Sequence, residues 1–186
     1  ASDQVLGKTS AHVHLLRSVV RKCEGRHAGA VFLGLNAVLV LEESVLELNT
    51  ASDGGGGAVM IDGGATVVVT GGKTSFVRNN NATYGGGFLI RSESLPCDDP
   101  AACRQARLDV SGMGTQLVVD GNTAEEEGGG VFGAGAGLSN LGNGNYQNIS
   151  PDLVNYSVTV SAGGRMNVTK NMAADGGGLY LVEGGS

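Results

Sequence analysis

Three sets of side chains have the types needed for chemistry. Asp53, Glu127 and Asp175 each stand just before a run of glycines, one acid per repeat. Asp98 and Asp99 sit side by side next to Pro100, and His12 and His14 share a strand face if the segment is extended. Clustered carboxylates cleave glycosidic bonds, and carboxylates with Ca²⁺ and a basic residue serve polysaccharide lyases. The spacing argues against both. The acids of the column come singly, at a corner, and read as a solvated column or at most a weak Ca²⁺ site. Asp98 and Asp99 have no adjacent Gly-His-Gly and no Arg-x-Lys partner. The histidine pair has no third ligand nearby, whereas a zinc site takes three or four. No Gly-x-Ser-x-Gly elbow exists. The chain is therefore read as not an enzyme, with no catalytic residue, no metal site and no cofactor.

What organises the sequence is a repeated phrase: an apolar residue, two spacers, Asn, a polar link, three glycines and an apolar run. It occurs as Leu46-x-x-Asn49 before Gly55–Gly57, and as Phe76-x-x-Asn79 before Gly85–Gly87. It returns as Val119-x-x-Asn122 before Gly128–Gly130 and Val168-x-x-Asn171 before Gly176–Gly178. A worn copy, Val20-x-x-Cys23, precedes them. A period of this size marks a solenoid, in which each repeat buries its apolar side against its neighbours.

One repeat can be read strand by strand. Ala58–Ile61, Thr66–Thr70 and Thr74–Arg78 are short β-branched or apolar runs separated by glycine turns, and Asn79–Tyr84 closes the unit as a corner. Three short strands in about 30 residues predict an all-β, right-handed parallel β-helix of about five coils. The Asn column (Asn49, Asn79, Asn122, Asn171) has a structural role in this scheme. Asn tolerates the left-handed conformation, its amide bonds nearby backbone, and stacked amides bond one another along the axis. The glycines that follow permit close approach between coils.

Composition narrows the class. Glycine is conspicuous at 33 of 186 residues, with 3 prolines and no Trp, and the glycines follow no collagen period. The net charge of −6 and the thin scatter of 12 Lys plus Arg leave no basic stripe for nucleic acid. No apolar run approaches the ~20 residues of a membrane span. Because the pattern runs to both ends, residues 1–186 are expected to be a single segment of a longer solenoid.

Cys97 and Cys103 flank a short polar loop that a disulfide could close. Cys23 stands in the Asn column, too many coils away to join them. Sequons at Asn81, Asn148, Asn155 and Asn167 offer glycosylation acceptors. Sequons and disulfide together favour a secreted or cell-surface glycoprotein.

These residues resemble the repeat of the chlamydial polymorphic outer-membrane proteins, which carry Phe-x-x-Asn and Gly-Gly-apolar-apolar-aromatic motifs. Phe76-Val77-Arg78-Asn79 matches the first, while Gly129-Gly130-Val131-Phe132 and Gly177-Gly178-Leu179-Tyr180 are close to the second. The other copies replace Phe by Leu or Val. The resemblance runs from Val19 to Gly185 and extends to similar repeats in surface proteins of algae and protists. It implies a β-helical, autotransporter-passenger-like surface region, adhesive or structural, with no catalytic residues to carry over.

Two places are expected to carry function. Insertions at about 92–106 and 133–154 fall at one corner and would lie side by side, where a partner protein or glycan could be met. In the strand after the glycines, Phe32, Val59, Leu89, Phe132 and Tyr180 form the middle column of three, so either they or their flanking columns must face outward. Phe32, Leu89, Phe132 and Tyr180 are the candidate interface, packing on another chain or a further segment of this one. The sequence thus predicts a non-catalytic spacer, adhesive or assembly segment. The competing reading is a carbohydrate-binding or pectin lyase-like β-helix.

Overall fold

The computed structural model describes residues 10–91, 105–134 and 156–182. Among them there is no helix; every regular element is a strand. The first round comprises β1 (His12–Leu16), β2 (Val19–Arg21), β3 (Glu24–Gly25) and β4 (Val31–Leu33). The second comprises β5 (Val38–Glu42), β6 (Val45–Glu47), β7 (Thr50–Ala51) and β8 (Val59–Ile61). The third holds β9 (Thr66–Val69), β10 (Thr74–Arg78), β11 (Asn81–Tyr84) and β12 (Phe88–Arg91). The fourth holds β13 (Ala106–Ser111), β14 (Gln116–Asp120), β15 (Thr123–Glu127) and β16 (Val131–Ala134). The fifth holds β17 (Tyr156–Ser161), β18 (Arg165–Thr169) and β19 (Leu179–Val182).

The chain visits four sheets in the same order, and each return pairs in parallel with the strand one round earlier. Sheet A is β1-β5-β9-β13-β17, and sheet B is β2-β6-β10-β14-β18. Sheet C is β3-β7-β11-β15, and sheet D is β4-β8-β12-β16-β19. In round five, isolated bridges from Thr123 to Met172 and from Glu127 to Asp175 continue sheet C.

Alternation along each strand sends one set of side chains into a common core. Sheet A contributes Leu39, Val67 and Leu108 with Leu41, Val69 and Val110; sheet B contributes Leu46, Val77 and Val119; sheet D contributes Val59, Phe88 and Val131 with Ile61 and Ile90. All are fully or almost fully buried. With so few aromatics, this interior is filled by columns of aliphatic side chains one strand spacing apart.

Three strands per repeat was one too few. The expected corner Asn79–Tyr84 contains β11, which stacks on β7 and β15. The strands of sheet C are polar and send one small residue inward, through the column Gly25, Ala51, Ala82 and Ala124. A lone alanine per strand leaves no alternating apolar signal, so the sequence pattern passes over it.

Two one-residue slips also separate expectation from structure. Val77 pairs with Leu46 and Val119, whereas Phe76 pairs with Val45 and Val118 on the outer face. The buried anchor of round three is thus Val77, and Ser75 rather than Thr74 turns inward beside it. In sheet D, Met60 pairs with Phe32 and Leu89, so Val59 belongs to the inner column and Met60 to the middle one. A one-residue slip exchanges the two faces of a strand, so both corrections matter. At the insertions, Ala106 already lies in β13, and Gly133 and Ala134 lie in β16.

Candidate functional site

The Asn column becomes a continuous buried ladder, with Asn80 in the place expected for Asn79. The side-chain amide of Asn49 donates to Asn80 Oδ1 at 2.9 Å, that of Asn80 to Asn122 Oδ1 at 2.9 Å, and that of Asn122 to Asn171 Oδ1 at 2.9 Å. The second proton of each amide goes to a backbone carbonyl of the preceding round: Val20 for Asn49, Leu46 for Asn80, Val77 for Asn122 and Val119 for Asn171. Each Oδ1 also accepts the backbone N–H of the preceding round, from Cys23, Asn49, Asn80 and Asn122 in turn. Asn49, Asn80 and Asn122 are 0%, 1% and 0% exposed, so these bonds replace water completely.

Asn79 has the neighbouring task. The residue before each ladder position takes positive φ: Lys22, Leu48, Asn79, Gly121 and Lys170 lie between 52° and 63°. The left-handed tolerance attributed to the ladder residues belongs to this position instead, and Asn79 points to solvent. Phe76-Val77-Arg78-Asn79, the full motif match, therefore has both of its named residues outside the ladder. Doubled asparagines at 79–80 hid the slip, because either reading satisfies the spacing rule.

After the ladder the chain draws its rounds close at the glycines. Gly128 adopts φ 63°, and a Cβ placed on Gly130 would stand 2.5 Å from the Gly178 carbonyl oxygen. Only hydrogen fits there.

On sheet D the middle column does point away from the main core, but it is largely covered. Met60, Leu89, Phe132 and Ala134 are 2–4% exposed and form a second apolar cluster. The ring of Phe132 lies between Tyr84 at 5.8 Å and Tyr180 at 5.7 Å, both tilted by about a third of a right angle. Leu89 and Phe132 are thus not free surface: they share a cluster with Met60 and Ala134, and Tyr84 and Tyr180 pack against it. Phe32 at 53% exposure and the half-buried Tyr180 mark the open ends of the column.

The acids do not assemble. Asp53 pairs with Arg26 at 2.8 Å, and Glu127 lies between Asp175 and Tyr84 in register. Partial burial, then Glu126 and Asp175, push the Glu127 carboxyl above its ordinary value. His12 and His14 are exposed, and His14 reaches Glu42 at 3.3 Å. Among the described residues no group of three or more His, Cys, Asp or Glu is placed to hold a metal. Asn81 and Asn167 are exposed, as an acceptor must be; Asn148 and Asn155 lie outside the described residues. So do Cys97, Cys103 and the segments 92–104 and 135–155. Cys23 is free and half-buried, its N–H held by the Asn49 amide oxygen.

A further pattern was not read from the sequence. Sheet B carries on its outer face the in-register column Arg21, Glu47, Arg78 and Asp120, alternating in sign from round to round. Arg78 bonds Glu47 at 2.8 Å and covers the Phe76 ring at 5.5 Å. A neighbouring network joins Arg17, Glu43 and Lys73, and the hydrogen bond from Lys73 is the main cause of the lowered Glu43 carboxyl pKa. The spacings between these residues vary from 26 to 42, which conceals the alternation until register is known.

No family model, no curated protein and no solved structure matches this chain. No helix among the described residues is long and apolar enough to cross a membrane. The fold and its columns define an all-β protein of four parallel in-register sheets.

Proposed function

We propose that the stacked rounds form a right-handed parallel β-helix serving as a non-catalytic, rigid spacer or adhesive segment of a secreted or cell-surface glycoprotein. The observation that carries this reading is the unbroken amide ladder from Asn49 to Asn171, with backbone N–H groups of Cys23, Asn49, Asn80 and Asn122 tied into it. A buried ladder of this kind adds the same bonds with every round and resists local opening. That is the mechanical property a stalk or surface-assembly subunit needs. Exposed Asn81 and Asn167 in their sequons support passage through a secretory route, and the resemblance to surface-protein repeats points the same way. The partners of such a segment are other chains, further segments of the same one, or glycans.

Native-state hydrogen exchange tests the mechanical claim. The amides of Asn49, Asn80 and Asn122 should exchange only through global unfolding. Exchange of these three at sub-global rates would overturn the rigid-spacer reading. Release of new chain ends from pectin-like polymers would overturn the non-catalytic part. Expression in a secreting eukaryotic cell should give glycans at Asn81 and Asn167; unmodified secreted protein would remove the glycoprotein assignment.

A further inference from the structure

The outer face of sheet B carries two parallel columns. One is apolar: Val19, Val45, Phe76 and Val118 in rounds one to four. Val19 is 60% exposed and the other three are half-buried, although they stand on the solvent side of the sheet. Two residues along each strand runs the charged column, Arg21, Glu47, Arg78 and Asp120, in the order plus, minus, plus, minus. Its middle pair is satisfied internally by the Arg78–Glu47 ion pair. Its ends are not. Among the described residues neither Arg21 nor Asp120 has an ion pair, and the Asp120 carboxylate accepts the Thr169 hydroxyl at 2.7 Å.

An alternating sequence of four charges is the reverse of itself with the signs exchanged. We infer that this face is a self-association surface, on which a second copy of the chain docks antiparallel about a two-fold axis running along the strands between rounds two and three. That operation keeps the apolar column over the apolar column and reverses the order of the rounds. Round one then faces round four and round two faces round three. Arg21 of each copy meets Asp120 of the other, and Glu47 of each meets Arg78 of the other. The two column charges left without an ionic partner among the described residues are the two that the second copy supplies. Phe76 lies across from Val45, and Val19 from Val118, which closes the apolar seam.

The sign pattern also selects the orientation. Side-by-side packing with the rounds in the same order would set Arg21 against Arg21 and Asp120 against Asp120, and like charges facing each other are unfavourable. Asn167 continues the apolar column in round five, outside the four paired rounds, so a glycan there sits at the edge of the seam. Four rounds at ~4.8 Å by about five residues at ~3.3 Å give roughly 300 Å² a side, well below the ~800 Å² of a standard interface. The association is therefore of the weak, transient kind.

The inference deepens the spacer reading by naming one partner; a chain that stays monomeric would leave that reading intact. Sedimentation equilibrium at protein concentrations up to about 1 mM and low salt tests it. A dimer should appear, weakened by added salt. Arg21→Glu and Asp120→Arg, at surface positions, should each weaken it about tenfold or more, since each change acts twice across the two-fold. The double variant R21E/D120R should restore dimerisation to within a few-fold of the parent, because the swap preserves complementarity. Phe76→Ser should abolish it while circular dichroism and melting show a folded chain. A monomer throughout, single variants without effect, or a double variant as weak as the singles would each overturn the proposal.

Discussion

The buried amide ladder and the exposed charge column both run along sheet B's edge of the molecule, and both repeat once per round, yet they follow opposite rules. The ladder is homotypic. Asn49, Asn80, Asn122 and Asn171 can stack on copies of themselves because an amide is donor and acceptor at once. The charge column is heterotypic: Arg21, Glu47, Arg78 and Asp120 alternate in sign, so that each charge faces an opposite one on the adjacent strand. Burial decides what each contributes. A lost ladder bond strands polar groups away from water, whereas a lost surface ion pair is replaced by hydration. The difference teaches that the ladder holds the rounds together, whereas the charge column stays at the surface, where the proposed self-association would use it.

Substitutions can break this comparison, the largest effect coming first. Asn80→Asp should be the most damaging, because it puts an acceptor-only carboxylate against the Leu46 carbonyl and Asn122 Oδ1 in a buried site. Cooperative unfolding at pH 7 should be lost or shifted by more than about 4 kcal/mol, read by urea denaturation.

Asn80→Ala should cost about 3 kcal/mol or more, for it strands the Asn49 backbone N–H, one Asn49 amide proton and the Leu46 carbonyl. Asn79→Ala, one residue away, should cost about 1 kcal/mol, the price of a left-handed alanine on the surface. Equal effects at 79 and 80 would refute the assignment of the ladder.

Glu47→Gln should cost under about 1 kcal/mol, and the loss should shrink with salt, as the Arg78 ion pair is partly exposed. The smallest effect is expected at Glu127→Gln. The raised carboxyl pKa of Glu127 means that its protonated form is favoured by folding, so its contribution is fully present below the ordinary carboxylate value and is lost as pH rises from there through the raised one. The variant should therefore melt slightly higher than the parent at pH 7 and equally at pH 3. A lower melting temperature at pH 7 would show that the ionised carboxylate is stabilising there.

Much of this molecule can be read from spacing. The Val, Leu and Ile of sheets A, B and D gather in short apolar or β-branched runs bounded by turns, and the glycine runs mark where rounds draw together, so short stacked strands in repeated rounds follow from the residues alone. Sheet C escapes because Ala51, Ala82 and Ala124 are too small to stand out against polar neighbours. The slip at Phe76 has another cause. Phe is the larger apolar residue and Asn79 completes the motif, but Val77 and Asn80 fit the narrow interior and the amide spacing better, and Phe76 instead finds the Arg78 guanidinium outside.

What the sequence determined by itself is the existence of a repeated, all-β, aliphatic-cored chain in which Asn and Gly recur where the geometry of the rounds requires them. Those features are local: short apolar runs, glycine next to strand, amide after anchor. Only the tertiary structure decided register, because strand pairing from His12–Val38, 26 residues apart, to Ala106–Tyr156, 50 apart, depends on how connections of different length return to the same sheet. Register in turn decides every column. It puts Asn80 in the ladder, folds Leu89 and Phe132 into a covered cluster, and lines up four distant charges in alternating order.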